Sequence, residues 1–445
     1  MQIITIYDYI LLPVYLFLFY ILIKRRSLNF SDVELRKIFI TAFALRMLGS
    51  VAYSMLVQYY YGYGDAFTYY AGGNFIIDQI QKDFGNVKYL FTSAKELQRL
   101  YALEVGKTDG LNGYIATDAS LAVMKASALI AILSFNKFLI SSIFFALFSF
   151  AGQWKLFLVF NDINNGKNKK IMAIAVLYTP AIWFWSSGLI KESICMGALG
   201  FIISIVYNGF VKKQITVFDW ILLIIFIYLI YVIKSYIIVI LAAVFFLTIL
   251  FVIFQNIKLF VLKVFLIILT SLFILLFLSL SDFSDQLNDL ALDAVSQIEN
   301  FQKTYQSLQE ENSKAAFEMD AFDPSAGNLF LRTPGVIFSC LFRPFLWESK
   351  KIIIVFSSLE STLLLLSTLF LLFKSKFVGF FKIIFTNPYI FFCFVFSLIL
   401  AAVIGFTTFN FGTMTRYKII LLPFYYFLLV IIYTRLMKNK TALNA

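Results

Sequence analysis

Charged residues interrupt the long apolar runs of this sequence at only a few points. Asp65 lies in a stretch rich in glycine and tyrosine that also holds Tyr69, and Lys191 and Glu192 stand side by side between two apolar runs. The other candidates lie later in the chain: Lys234, Arg343, Arg416 and Tyr417. Because a lipid-facing charge at the bilayer centre costs roughly 2.5–3.5 kcal/mol, such residues lie at an interface or line a wet cavity.

A carboxylate near a membrane surface, surrounded by cations, suits group transfer from a lipid-linked phosphate or diphosphate donor. The carboxylate accepts the proton of an attacking hydroxyl, which is the role of a general base. Arginine binds phosphate in a bidentate manner, and lysine neutralises the charge that develops on the leaving group. The sequence contains no glycine-rich phosphate loop of the nucleotide-binding type, so a nucleotide-linked donor is not expected.

The composition is that of a membrane protein. Of the 445 residues, 61% are hydrophobic and 19% are aromatic, and the mean hydropathy is +0.86. A soluble core cannot bury that much apolar surface, so we expect residues 1–445 to form one polytopic, all-α membrane domain in contact with lipids.

The basic residues and the cysteines exclude several other classes of function. The 37 Lys and Arg residues exceed the 25 Asp and Glu residues, but they stand beside apolar segments, as the positive-inside rule predicts, which argues against nucleic-acid binding. Cys195, Cys340 and Cys393 are isolated, and the sequence has no histidine. A disulfide framework, a zinc site and a Ser-His or Cys-His nucleophile are therefore not expected.

About eleven apolar segments are predicted to span the bilayer as helices. They are residues 4–23, 38–60, 138–160, 171–184, 194–211, 217–233, 237–254, 259–280, 352–373, 389–405 and 419–433. Placing the basic loops in the cytoplasm puts the N-terminus outside and the C-terminus inside a bacterial inner membrane.

Two hydrophilic segments fall on the outer side in this topology. In the first outer loop, residues 61–136, apolar residues at helical spacing predict amphipathic periplasmic helices. Residues 121–133 are apolar but short, so they are expected to be interfacial or re-entrant. Residues 281–350 form one long, acidic periplasmic loop. All the candidate site residues face outward, where there is no pool of nucleotide sugars and the donor is expected to be prenyl-linked.

The candidate residues carry a resemblance to a known family. Gly64-Asp65-Ala66-Phe67-Thr68-Tyr69, after an early outward span, resembles the first outer loop of polytopic GT-C glycosyltransferases, such as the dolichyl-phosphate-mannose-dependent mannosyltransferases. Arg416-Tyr417-Lys418, before the last span, resembles a run near the C-terminus of bacterial members. The resemblance implies an inverting transfer of a sugar from a polyprenyl-phosphate-linked donor to a glycan or lipid-linked acceptor, during assembly of surface polysaccharide.

The same resemblance implies roles for individual residues. Asp65 is the expected base, and Lys191, Arg343 and Arg416 are expected phosphate ligands. The full set of candidates comprises Asp65 and Glu192 as catalytic residues, and Lys191, Lys234, Arg343, Arg416, Tyr417 and Tyr69 as substrate- or phosphate-binding residues.

The sequence departs from this family in two respects. An extra span precedes the acidic loop, and Ala66 stands where the family has the second acidic residue of a pair. The second departure weakens the case for a metal site. We therefore name no metal ligand and leave open whether a divalent cation, Mg²⁺ or Mn²⁺, takes part.

Two other functions stay open. The stretch Trp185-Ser186-Ser187-Gly188-Leu189-Ile190-Lys191-Glu192 resembles O-antigen and capsule repeat-unit polymerases, which use polyprenyl-diphosphate-linked oligosaccharides. A lipid or glycan transporter is the non-enzyme alternative. It predicts charges spread through the bilayer and a repeat of broken helices.

Arg46 lies inside the second predicted span. An unpaired cation at that depth is costly, so a buried acid is expected beside it. Glu360, at a similar depth in a later span, is the expected partner.

Overall fold

A computed structural model describes residues 3–105, 110–257, 326–349, 352–408 and 410–443, and it contains no β-strand in these ranges. The all-α prediction is confirmed. The chain divides into two compact units, Met1–Val239 and Ile240–Ala445.

The described residues of the first unit form ten α-helices and the beginning of an eleventh. They are α1 Ile6–Ser27, α2 Val33–Leu56, α3 Asp65–Lys82, α4 Ala94–Glu104, α5 Gly110–Ile115, α6 Asp118–Ser134, α7 Phe138–Ile163, α8 Lys169–Ala173, α9 Pro180–Trp185, α10 Lys191–Phe210 and α11 Val217–Asn256. π-Helical turns at Val57–Tyr61 and Ile174–Tyr178 precede the two stretches that hold Asp65 and Lys191. Such turns are frequent at functional sites.

The second unit contains the end of α11 and six further described helices. They are α12 Ala326–Phe342, α13 Ile352–Lys374, α14 Phe377–Ile384, α15 Pro388–Thr407, α16 Phe411–Lys418 and α17 Leu422–Leu443. α12 packs closely on α15. There is no space for a side chain at Gly405 of α15, where a Cβ atom would lie 2.4 Å from Val336 Cγ1 of α12.

Seven helices in the described ranges are long and apolar enough to cross a membrane. The count rises to eight if α16 and α17, which are bent by 63° relative to each other, form one span. The chain is therefore a multi-pass membrane protein, but the predicted number of about eleven spans is not confirmed.

The difference between eleven predicted spans and eight candidate spans arises at three places in the chain. Residues 171–184 do not form one helix, because the chain breaks there into α8, a π-helical turn and α9. Residues 217–233 and 237–254 lie in two helices that meet at a kink at Lys234 (φ −149°, ψ 74°); together they form α11, which is 40 residues long and is counted as one candidate span. The predicted span at 259–280 lies outside the described residues.

The predicted long outer loop is only partly described. Residues 281–325 lie outside the described ranges, whereas the following residues form α12 and a short 3₁₀ turn at Leu346–Glu348. The last third of the predicted loop is therefore helical.

The basic loops of the first unit meet at one end of its helices. Lys169, the first residue of α8, forms an ion pair with Asp32, which also caps α2 by accepting from Glu34 N at 2.8 Å. The hydrogen bond from Lys169 lowers the pKa of Asp32. Lys212, after α10, pairs with Asp162 at the end of α7, with Nζ and Oδ2 3.0 Å apart. The loops expected in the cytoplasm thus share one side.

The opposite end collects the start of α1, the end of α2 and the start of α7. Ile3 N donates to Gln58 Oε1 at 2.9 Å, and Leu139 N donates to Asp8 Oδ1 at 2.9 Å. These contacts show that α1, α2 and α7 alternate in direction, as the positive-inside pattern predicts.

α6 has both of its ends at this second end of the unit. Ser120 in its first turn accepts from Lys191 at the start of α10 at 3.2 Å, and Ser134 in its last turn lies 2.8 Å from Ser141 in the first turn of α7. Such a placement is typical of an interfacial helix, as the short apolar segment predicts.

Glycines bring α7 and α10 into backbone contact. A Cβ atom at Gly152 would lie 1.9 Å from Gly197 O, and one at Gly200 would lie 2.0 Å from Gly152 O. Small residues at such crossings allow membrane helices to approach closely. The contact fixes α10, which begins with Lys191.

We expect Gly152→Ala to destabilise the protein by about 1–3 kcal/mol, because the new methyl group overlaps the backbone of α10. Thermal unfolding of the detergent-purified protein measures the change. Gly379→Ala is the matched control: its new Cβ would meet only Ser375 Cβ, at 3.8 Å. Equal melting temperatures for the two variants would contradict the close crossing of α7 and α10.

The orientation of the first unit is tested by cysteines placed at its two ends. We expect Tyr63→Cys, at an exposed position, to react with a membrane-impermeant maleimide added to intact cells, and Lys167→Cys to react only after the membrane is opened. The three natural cysteines are buried and give a low background. The reverse labelling pattern would invert the predicted topology.

Candidate functional site

Asp65 is the first residue of α3, and a tyrosine of α5 bonds its carboxylate. Gly62 and Gly64 have φ angles of 70° and 133°, which other residues rarely adopt, so the chain turns sharply before the helix begins. Tyr114 Oη, from α5, donates to Asp65 Oδ1 at 3.2 Å. The side chain is half-buried and reaches solvent.

Tyr69 connects this carboxylate to Lys191. Tyr69 lies one turn further along α3, is buried, and packs edge-to-face with Tyr114 at a centroid distance of 6.3 Å. The Lys191 ammonium lies 5.7 Å from the centroid of the Tyr69 ring and donates to Ser120 Oγ at 3.2 Å. An ammonium group over an aromatic face is attracted by the ring quadrupole. Asp65, Tyr69 and Lys191 therefore belong to one cluster, assembled from α3, α5, α6 and α10.

Glu192 and Lys234 form a buried ion pair beside this cluster. Lys234 Nζ lies 2.9 Å from Glu192 Oε1, and the two side chains are 6% and 0% exposed. Lys234 is the non-helical residue of α11. Glu192 follows Lys191 at the start of α10, yet the two neighbours have different partners. The pair joins α10 to the break in α11.

Arg343, in the second unit, is held by contacts on two sides. Its Nε donates to Glu348 Oε1 at 2.8 Å and to Oε2 at 3.1 Å, and Nη2 also bonds Oε1. The guanidinium lies 5.3 Å from the centroid of the Phe411 ring. The side chain is half-buried, so this preorganised cation reaches the surface of the unit.

Lys418 holds the backbone at Arg343 in place. It is buried and donates from Nζ to Arg343 O at 3.0 Å and to Ser361 Oγ at 2.8 Å. Arg416 and Tyr417 are half-buried on the same short helix, with the Arg416 guanidinium 5.7 Å from the Tyr417 ring centroid. The last three predicted site residues thus lie in the second unit.

The structure therefore sorts the predicted residues into two groups. Asp65, Tyr69, Lys191, Glu192 and Lys234 lie together in the first unit, and Arg343, Arg416 and Tyr417 lie in the second. In the described ranges, no group of three or more His, Cys, Asp or Glu residues is placed to hold a metal ion. The participation of Mg²⁺ or Mn²⁺ stays an open prediction.

Sequence reasoning missed the residues that hold the candidates in place. They are Tyr114, Ser120, Phe411, Ser361 and Lys418. Most are neutral side chains in helices, where spacing along the chain gives no signal of a site. Lys418 was visible in the motif Arg416-Tyr417-Lys418, but its burial depends on tertiary packing.

The expected acid beside Arg46 is not found. Among the described residues no carboxylate lies within ion-pair distance of Arg46, which donates instead to Ser149 Oγ at 3.2 Å and to Ser186 O at 3.1 Å. Glu360 accepts from Tyr426 Oη at 3.5 Å in the second unit. A backbone carbonyl and hydroxyl groups take the place of the predicted acid.

We expect Lys234→Met to destabilise the protein by about 3–5 kcal/mol, because it leaves a buried Glu192 carboxylate without this cation. Adding Glu192→Leu is expected to restore most of the stability. Lys212→Met is the control, since the Lys212–Asp162 pair is exposed and is worth about 0–1 kcal/mol. Thermal unfolding in detergent compares the variants, and an equal loss for Lys234→Met and Lys212→Met would rule out a strong buried pair.

The resemblances to glycosyltransferases and polymerases are carried by short motifs. No protein-family model, curated protein or solved structure matches this chain.

Proposed function

We propose that the protein is a membrane glycosyltransferase of the GT-C type. It transfers a sugar from a polyprenyl-phosphate-linked donor to a glycan or lipid-linked acceptor on the outer face of the inner membrane, during assembly of cell-surface polysaccharide. The observation that carries the proposal is the cluster that joins a solvent-reaching carboxylate, Asp65, to a partly buried cation, Lys191, through Tyr114 and Tyr69.

In this proposal Asp65 is the general base of a single displacement. Its carboxylate takes the proton of an acceptor hydroxyl as the oxygen attacks the anomeric carbon of the donor. The bond from that carbon to the phosphate oxygen breaks, and the polyprenyl phosphate leaves with the electron pair. One displacement inverts the configuration at the anomeric carbon. Tyr114 orients the Asp65 carboxylate through its hydrogen bond.

Lys191 neutralises the charge that develops on the leaving phosphate. Its ammonium is only half-buried and is anchored by Ser120 and the Tyr69 ring. A cation fixed before the reaction stabilises developing charge without a cost of reorganisation. Tyr69 is buried, so its part is to hold Lys191 rather than to touch the sugar.

Glu192 and Lys234 are positioning residues in this scheme. Both are buried and bonded to each other, so neither is free to exchange protons with an acceptor or to bind phosphate at the surface. They tie the start of α10, and with it Lys191, to α11.

Arg343, Arg416 and Tyr417 are treated separately, because they lie in the second unit; by the resemblance they are proposed to bind phosphate or substrate. The support for Arg343 is its fixed geometry between Glu348 and Phe411, because a guanidinium that is already ordered loses little entropy when it binds phosphate. Arg416 and Tyr417 lie on α16, the helix that also supplies Phe411 and Lys418.

A lipid or glycan transporter is the second candidate. The observation that favours it is the buried Glu192–Lys234 pair at the break of a membrane helix. Intramembrane ionisable residues at broken helices are typical of transport pathways. A transporter does not need a general base at Asp65, and this difference separates the two candidates.

We expect Asp65→Asn to abolish the transfer, with a loss of about 10²–10⁴-fold in rate, because the amide cannot accept the proton. The measurement is the composition and length of surface glycan in a strain that lacks the protein and carries either variant on a plasmid. Asp78→Asn is the matched control. It changes the same residue type on the exposed face of the same helix, α3.

Each result of this experiment has a distinct meaning. A missing or truncated repeat unit in the Asp65→Asn strain supports monosaccharide transfer. Single repeat units in place of long chains would make the protein a polymerase. Normal glycan from a variant present in the membrane at the wild-type level would remove Asp65 from the mechanism and favour a transporter.

A further inference from the structure

Residues 186–190 form a buried, non-helical turn between α9 and α10. All five residues of this turn are buried. Backbone outside a helix is tolerated inside a membrane bundle only if its polar groups are hydrogen-bonded within the protein. Since Lys191 directly follows the turn, its position depends on how the turn is held.

Three serine side chains donate to carbonyl groups in and next to the turn. Ser186 Oγ donates to Ile182 O, Ser187 Oγ donates to Trp183 O, and Ser193 Oγ donates to Gly188 O at 2.6 Å. These bonds come from the segment itself. They close the end of α9 and the start of α10, but they do not fix the turn to the rest of the bundle.

Arg46 supplies the bond to the bundle. Its side chain, on α2, is 1% exposed, and Nη1 donates to Ser186 O at 3.1 Å and to the Ser186 hydroxyl. Ser186 follows the last residue of α9, where a cation is favoured by the exposed carbonyl groups. The same Nη1 donates to Ser149 Oγ of α7 at 3.2 Å. One guanidinium therefore joins α2, α7 and the turn.

The face of α2 that carries Arg46 also touches the turn through close contacts. A Cβ atom at Gly49 would lie 2.6 Å from Trp183 O of α9 and 3.1 Å from Ser187 Oγ of the turn, and one at Gly188 would lie 2.2 Å from the ring of Tyr53. The turn thus lies against α2 without space for a side chain at either glycine. A small shift of the turn would break these contacts together.

We propose that Arg46 is a positioning residue that holds the turn 186–190 and thereby places Lys191 against Tyr69 and Ser120. The effect of Arg46 on the geometry stands on these contacts alone. Its effect on catalysis rests on the proposed glycosyltransferase function.

A cross-linking experiment tests the geometry without reference to activity. Cysteines replace Ser120 and Lys191, whose side chains are in contact, and a short bifunctional methanethiosulfonate joins them in detergent-purified protein. We expect Arg46→Met in this background to slow cross-linking about tenfold, because a small displacement of two reacting groups greatly lowers their effective concentration. Arg46→Lys, which still reaches Ser186 O, is expected to restore most of the rate.

Arg36→Met is the matched control. It removes the same charge from the other end of the same helix, where Arg36 Nε bonds Phe30 O, and it is expected to leave the rate unchanged. Arg46→Met is expected to fold, since no described carboxylate loses its partner. If it does not accumulate, Arg46→Gln, whose amide is too short to reach Ser186 O, takes its place. An unchanged cross-linking rate in whichever variant accumulates would overturn the proposal.

The effect of Arg46 on catalysis is tested separately, by the kinetics of sugar transfer. In the protein with its natural Ser120 and Lys191, we expect Arg46→Met to lower kcat for sugar transfer with little change in KM for the acceptor, and Arg46→Lys to recover kcat. Slowed cross-linking with no transfer activity in the wild type would leave Arg46 as the residue that positions the turn and would reject the glycosyltransferase function. If Arg46→Met cross-links at the normal rate and the wild type transfers sugar, the positioning role of Arg46 is rejected and the glycosyltransferase function is kept.

Discussion

The first unit depends on one constraint: wherever a membrane helix is interrupted, its free carbonyl groups need partners inside the protein. Between Ala173 and Lys191 the chain forms a π-helical turn, a six-residue helix and a buried turn in place of a continuous span. The serines of this segment and Arg46 supply the missing donors. The interruption is what brings Lys191 to the start of a new helix, beside α3 and α6.

The charged residues solve the problem of burial in two different ways. Glu192 and Lys234 form an ion pair within the protein, and this pair holds α10 against α11. Asp65 and Arg343 keep part of their surface in solvent, and hydrogen bonds to their partners orient them. Of these four residues, only Asp65 and Arg343 are accessible from solvent. The extent of burial therefore distinguishes candidate catalytic or binding residues from residues that only hold the helices together. Residue type alone does not distinguish them.

The sequence predicted the helical class, the multi-pass character and the alternation of helices in the first unit, because hydropathy and the placement of lysine and arginine depend on one dimension only. It also placed Asp65 and Tyr69 in one short stretch, because only four positions separate them. It did not predict that Lys191 and Glu192 bond to different helices, or that serines replace an acid beside Arg46. Those choices depend on which helices are neighbours in space. The kink in α11 shows the same limit. A lysine within an apolar run is compatible both with a loop between two spans and with a kink between two helices.

The partners of Arg46 also matter for the order in which the chain is made. They lie 103 and 140 residues later in the chain, in α7 and in the turn that follows α9. α2 is the least apolar of the seven candidate spans in the described ranges, and it carries this cation, whose insertion costs roughly 2.5–3.5 kcal/mol near the bilayer centre. During synthesis α2 enters the membrane before any of these acceptors exists. The partners that stabilise this early helix are therefore supplied only by helices that follow it in the chain.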